Sequence, residues 1–219
     1  MQNKYFGDIH DFYKYLFLKR ISEHFSIGIH WCLISDDNSK DGNKKLTEKE
    51  NEKDSVLFSL LTGSIDKNVK NIKSYFPKRT KYFDTILQDS ILDSTYQKNA
   101  FEKLCKQEII FFDPDNGLEV SSTNNKNKFK YLSYDILENF WNNGNSMIIY
   151  QHLARDKMYL EDKIKTITEL LNCHKIGNIN VIRKGNVDYI FIIQKKHNLL
   201  HDIIADFVGK NSEYKILEI

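Results

Sequence analysis

Four consecutive apolar residues, Ile109-Ile110-Phe111-Phe112, run directly into Asp113-Pro114-Asp115-Asn116-Gly117-Leu118-Glu119. A strand that is apolar on both faces must be covered on both faces, as in a mainly parallel sheet between layers of helices. Three carboxylates, a Pro and a Gly pack poorly, yet the carboxyl ends of strands are where open α/β sheets gather their ligands. Asp-Pro holds the first carboxylate on extended backbone, and Asn116-Gly117 supplies a corner of positive φ. The segment therefore reads as an active-site turn, with Asp113 and Asp115 as general base, metal ligand or hydrogen-bond acceptor. An ordinary Asx-capped β-turn is the competing reading.

The rest of the chain alternates in the same style. Apolar spacings of three and four predict a helix over residues 11–25, and residues 27–34 read as a short buried strand. Residues 38–54 are polar and charged and read as a long loop. Residues 56–61, 69–76, 82–91 and 96–106 read as helices, with Pro77 separating the second from the third. Further on come strands at 108–112 and 146–150, helices at 134–141 and 158–173, a hairpin of 178–183 with 188–194, a helix at 197–208 and a closing strand-like 214–219. The fold class this implies is Rossmann-like α/β, mainly parallel, with an antiparallel carboxy-terminal hairpin and helices on both faces. Residues 1–219 form one domain, and 38–106 a loop plus helical insertion between the first two strands.

At 219 residues the chain can bury a full core, and a formal net charge of +2 neither demands nor excludes a polyanionic partner. Cys32, Cys105 and Cys173 are odd in number and lack the close Cys/His spacing of a zinc site, so reduced core cysteines are expected. No stretch approaches the roughly 18 apolar residues of a membrane span, so no membrane partner and a cytoplasmic location are expected.

Two further clusters carry chemistry. Gly7-Asp8-Ile9-His10-Asp11-Phe12-Tyr13-Lys14-Tyr15 places Asp11 and Lys14 on one helix face, where they can present one charge of each sign. Tyr150-Gln151-His152-Leu153-Ala154-Arg155 ends the strand expected beside that of Asp113, which makes His152 a candidate acid or base and Arg155 a clamp. The remaining histidines read as structural. Asp36, with Asp37 and Asp41, lies where a dinucleotide-type fold meets a ribose, though no G-x-G-x-x-G accompanies it. Lys126, Lys128 and Lys130, with Phe129 and Tyr131 between and beside them, read as a weak nucleic-acid signal.

Gly7-Asp8-x-x-Asp11-Phe12-x-Lys14-Tyr15, Phe111-Phe112-Asp113-Pro114-Asp115-Asn116-Gly117-Leu118-Glu119 and Tyr150-Gln151-His152-Leu153-x-Arg155 together resemble an uncharacterised bacterial and phage-associated family over most of the chain. More distantly, the same order is similar to ribosomal-RNA adenine-N6 methyltransferases, class I enzymes that use S-adenosylmethionine. That resemblance implies that Lys14 holds the methyl donor's carboxylate, and Gly7, Asp11 and Asp36 are read with it as candidate donor-site residues. It implies that Asp113 accepts a hydrogen bond from the target amine; beside it Asp115 and His152 are read from their positions as catalytic candidates, and Asn116, Glu119, Gln151 and Arg155 as substrate contacts. Asp115 and Asn116 replace the Pro and aromatic residue of that family's Asp-Pro-Pro-Tyr motif, and no Gly-rich loop follows the strand ending at Ile34. The expected function is a methyltransferase-like enzyme acting on a nucleic acid or nucleotide. The alternatives are a Mg²⁺- or Mn²⁺-dependent nuclease or phosphodiesterase using Asp113, Asp115 and Glu119, and a non-catalytic binding protein on the same fold.

Overall fold

Seven short runs rich in Ile, Val, Phe and Tyr pair into one sheet: β1 (Ile27–His30), β2 (Lys81–Phe83), β3 (Ile109–Phe112), β4 (Ser146–His152), β5 (Ile176–Lys184), β6 (Val187–Gln194) and β7 (Lys215–Leu217). The strand order in the computed structural model is β2-β1-β3-β4-β6-β5-β7. β2, β1, β3 and β4 are parallel, β6 lies antiparallel between β4 and β5, and β7 is antiparallel to β5. The structure describes residues 1–37, 44–64, 66–87, 94–124, 127–154, 158–171 and 173–218.

Helices cover both faces, as the two-faced apolarity of β3 requires. On one face α1 (Ile9–Ser22), α3 (Ser55–Gly63) and α7 (Leu199–Lys210) pack over Ile27, Ile29, Phe111, Ile148 and Phe191. On the other, α4 (Ser94–Leu104), α5 (Tyr134–Asn142) and α6 (Tyr159–Leu170) cover Ile110, Phe112, Met147, Ile149 and Ile190. No helix among the described residues is long and apolar enough to cross a membrane.

The register positions the site. Ile27 to His30 pair with Ile109 to Phe112, and these with Ser146 to Ile149, so β1 and β3 end level with each other while β4 runs on to His152 beside the turn that leaves β3. The Asp113 amide then donates to the His30 carbonyl at 3.0 Å, and the acidic turn leaves the sheet beside the ends of β1 and β4.

Five expectations are corrected. The insertion at 38–106 is not purely helical: Lys81–Phe83 forms edge strand β2, where a helix over 82–91 was expected, and residues 88–91 of that range lie outside the described residues. Packing overrides the helix-like spacing there, because Tyr82 stacks on Trp31 and Phe83 meets His30 and Tyr96. The strand expected over 27–34 stops at His30, since Cys32 adopts φ +46, and rejoins the sheet only through an Ile34–Leu87 bridge. Inside the expected loop, α2 (Glu48–Lys53) forms on a Thr47/Glu50 capping box. Residues 69–75 make a 3-10 helix rather than an α-helix. Cys32 and Cys105 are free and half-buried rather than core residues.

Phe111 sits fully buried in the middle of the sheet. Phe111→Ala is expected to cost about 3–5 kcal/mol through lost burial and a residual cavity. Urea denaturation with unchanged slope is the measurement.

Candidate functional site

The site begins with the way α1 starts. Asp8 is its N-cap, accepting the amides of His10 at 2.8 Å and Asp11 at 3.0 Å. Gly7, at φ +90, turns the chain into that cap and donates its amide to Asp11 at 3.1 Å; a Cβ on Gly7 would lie 2.7 Å from the Leu61 carbonyl. With α1 so aimed, Lys14 points down to the carboxyl edge of the sheet.

There the Lys14 ammonium lies 2.5 Å from an Asp11 oxygen and 2.6 Å from Asp113 Oδ2, and all three side chains are almost fully buried. Its charge also faces the ring of Tyr150, 5.6 Å to the centroid. Burial alone would lower the Lys14 pKa, but Asp11 and Asp113 outweigh it and hold the ammonium well above its usual range. Burial pushes the Asp11 carboxyl up to about 7, with Lys14 opposing and Asp8 adding to the rise.

Above this bridge opens a cleft of about 550 Å³. Its walls include five aspartates, Asp8, Asp11, Asp37, Asp113 and Asp115, against Lys14, Lys44 and Lys130, together with His10, His152, Asn116, Tyr5, Tyr150 and Asn186. His10 is depressed to about 4 by burial and then by Lys184 and Lys44. His152 is depressed by burial against the opposing pull of Asp113 and Asp115. Both imidazoles are therefore neutral at pH 7, and the cleft is acidic. Asp115 is held by Gln2 at 3.3 Å and by Lys130 at 3.8 Å.

Of the sequence candidates, Asp11, Lys14, Asp113, Asp115, Asn116 and His152 line this cleft. Gly7, Asp36, Glu119 and Gln151 lie outside its lining, and Arg155 lies outside the described residues. Asp36 accepts the Lys4 amide at 3.2 Å. Glu119, read as a substrate or metal ligand, accepts the Tyr134 amide at 2.8 Å at the start of α5. Gln151, read as a substrate contact, is buried against Gly117; it accepts the Leu118 amide at 2.9 Å and donates to the His152 carbonyl at 2.8 Å. Among the described residues no group of three or more His, Cys, Asp or Glu side chains is placed to hold a metal ion.

Sequence reasoning set His10 aside, and its signal was positional: it stands four residues before Lys14, on the same helix face. It also missed Lys163. This buried lysine on α6 donates to the carbonyls of Leu118 at 3.0 Å and Glu119 at 3.2 Å, and burial lowers it to about 8. Lys163 and Gln151 thus clamp the far half of the acidic turn. No family model, curated protein or solved structure matches this chain.

Two outcomes follow. Gly117 has φ +88, and a methyl group there would overlap the Gln151 amide. Gly117→Ala is therefore expected to destabilise the chain by roughly 2 kcal/mol or more, with the loss visible in thermal melts. Asp11, with a folded value above its ordinary 3.8, binds its proton more tightly folded than unfolded. Its contribution to stability is complete below about pH 4 and is lost as pH rises through about 7. Wild type should lose about 2–4 kcal/mol relative to Asp11→Asn across that window, measured by urea melts at both ends.

Proposed function

We propose that the cleft is the substrate site of a methyltransferase-like enzyme on a Rossmann-like sheet, acting on the exocyclic amine of a nucleobase in a nucleotide or nucleic acid. Asp113 is the acceptor for that amine. The observation that carries the reading is the Lys14 bridge, because it brings the Gly7–Tyr15 segment and the Asp-Pro segment to a single atom at the carboxyl edge of the sheet. The antiparallel β6 between β4 and β5, beside four parallel strands, supports it as the edge arrangement the resemblance implies.

The chemistry is that of an acidic wall. Accepting an N–H from an amine raises electron density on its nitrogen, which is what attack on an electrophile requires. His152, neutral and in the same lining, is the group available to take a proton there. The metal-dependent alternative gains nothing from the geometry, since Glu119 is committed to the start of α5.

S-adenosylmethionine would supply the methyl group. Its ammonium and sulfonium suit a wall carrying five aspartates. Its nucleoside does not find the family's usual cradle: from His30 to Asp37 there is no glycine, and Trp31, Leu33 and Ile34 are buried bulk. Lys14, assigned by resemblance to the donor's carboxylate, is already engaged by two internal carboxylates. That misfit favours the second reading, a binding protein for the same amine on the same fold.

Calorimetry separates the readings. Adenosine or cytidine is expected to bind wild type, and Asp113→Asn to weaken that binding at least about tenfold, with circular dichroism confirming the fold. Heat on adding S-adenosylmethionine supports the enzyme; silence at millimolar donor with retained nucleoside binding supports the binding protein. No heat with any of these ligands overturns both.

A further inference from the structure

Two ammonium groups converge on one rim of the cleft. Lys44 lines the cleft, and its carbonyl takes the Ile9 amide at 3.0 Å, which seats it against the start of α1. Lys184, the last residue of β5, lays its ammonium over the Tyr13 ring, 3.7 Å from the centroid. Tyr13 follows His10 by three residues on α1, so both lysines reach the helix face that His10 shares. His10 feels the two charges, which after burial are the largest causes of its depression. Asn186, in the turn after Lys184, lines the cleft as well; Lys184 pairs with Val187 and Val187 with His152, which sets this turn at the cleft's edge.

The other lysines of the cleft are committed, Lys14 to Asp11 and Asp113, and Lys130 to Asp37 and Asp115. Among the described residues, Lys44 and Lys184 have no carboxylate within ion-pair reach. The acids that act on Lys184 are engaged elsewhere: Glu213 with Lys49 at 3.0 Å and Lys53 at 3.3 Å, and Glu50 with Tyr13 at 2.9 Å and the Thr47 amide at 2.9 Å. At this end of α1, Asp8 accepts helix amides, and Asp11 accepts the Gly7 amide and Lys14. Lys184 is half-buried, and burial and Lys44 both lower its pKa. Like charges gathered where water is partly excluded call for an anion.

We infer that Lys44 and Lys184, with the side-chain donors of His10 and Asn186, hold a phosphate group of the cleft's ligand. Together they present two charges and two N–H donors to it. The inference rests on the amine reading above for the other end of the ligand and narrows it: the ligand is a phosphorylated nucleoside, with its phosphate at the α1 rim and its amine toward Asp113.

Calorimetry on the full chain compares adenosine and cytidine with their 5′-monophosphates and their dinucleoside monophosphates. At least one phosphorylated form is expected to bind wild type about tenfold or more tighter than its nucleoside at low salt, the monoester indicating a free nucleotide and the diester a strand. Lys44→Gln and Lys184→Gln should each remove most of that advantage while nucleoside affinity stays unchanged. Lys165→Gln, at an α6 lysine paired with Glu169, should leave it intact, which separates a local contact from net charge. Lys44 is exposed, so its variant keeps the fold whatever Lys184→Gln does to the Tyr13 contact. If phosphorylated and free nucleosides bind alike, or the advantage survives in both lysine variants, the inference is overturned and the amine reading stands. If no nucleoside binds but pyrophosphate does, and weakens in both lysine variants, the phosphate site stands and the amine reading falls. Silence toward all these ligands overturns both.

Discussion

A single buried ammonium organises this molecule. Lys14 comes from the first helix, Asp113 from the end of the third strand, and they meet at 2.6 Å with Asp11 completing the bridge. Removing three charges from water costs several kcal/mol per ion, and attraction offsets that only with close geometry and further hydrogen bonds. Both conditions are met: the Gly7 amide serves the second Asp11 oxygen, and the Tyr150 ring faces the cation. Such a bridge is a weak source of net stability but a strong specifier of arrangement. It sets where α1 sits on the sheet, and therefore where the cleft opens.

The acidic turn depends on this bridge at one end and on a different device at the other. Asp113 is fixed by Lys14 and by its own amide on the His30 carbonyl. Past the Gly117 corner, Gln151 holds the Leu118 amide while Lys163 caps two carbonyls and Glu119 caps α5. Asp115 and Asn116 lie between the two anchors and line the cleft. Several residues with acidic or amide side chains thus divide into those that line the cleft and those that hold the first group still. Rigid support of this kind is what keeps a carboxylate in productive geometry.

How much of this was legible from residues alone follows from which forces were local. Strands β1, β3, β4 and β6 announced themselves because their apolar runs are nearly continuous and bounded by turn residues, and β5 because the Lys184-Gly185-Asn186-Val187 turn joins it to β6. The nearness of Asp113 to the end of β4 followed from the rule that parallel strands place their carboxyl ends on one side, whereas the pairing of Asp113 with Lys14 was suggested by the resemblance. β2 was misread, since its pairing depends on Trp31 and His30, some fifty residues earlier, which no local window contains. Glu119 and Gln151 were assigned to the ligand because type and position in a motif do not reveal which backbone amide a side chain will satisfy. The Thr47-x-x-Glu50 capping box was readable and was passed over for its polar surroundings.

The exit of β1 decides what kind of recognition this cleft can perform. Nucleotide-binding sheets commonly grip phosphate or ribose with glycine-lined backbone at that point. Here the chain turns through Cys32 at φ +46, an unfavourable conformation for a non-glycine residue, and packs Trp31 against Tyr82 and Tyr15. The amides of Trp31, Cys32, Ile34 and Asp37 donate to the Phe83 carbonyl, the His30 ring, the Met1 carbonyl and the Gln2 side chain, and the cleft is lined instead by side chains of α1, the β3 turn and the end of β4. Those side chains are mostly carboxylates and neutral imidazoles, so this surface offers mainly hydrogen-bond acceptors.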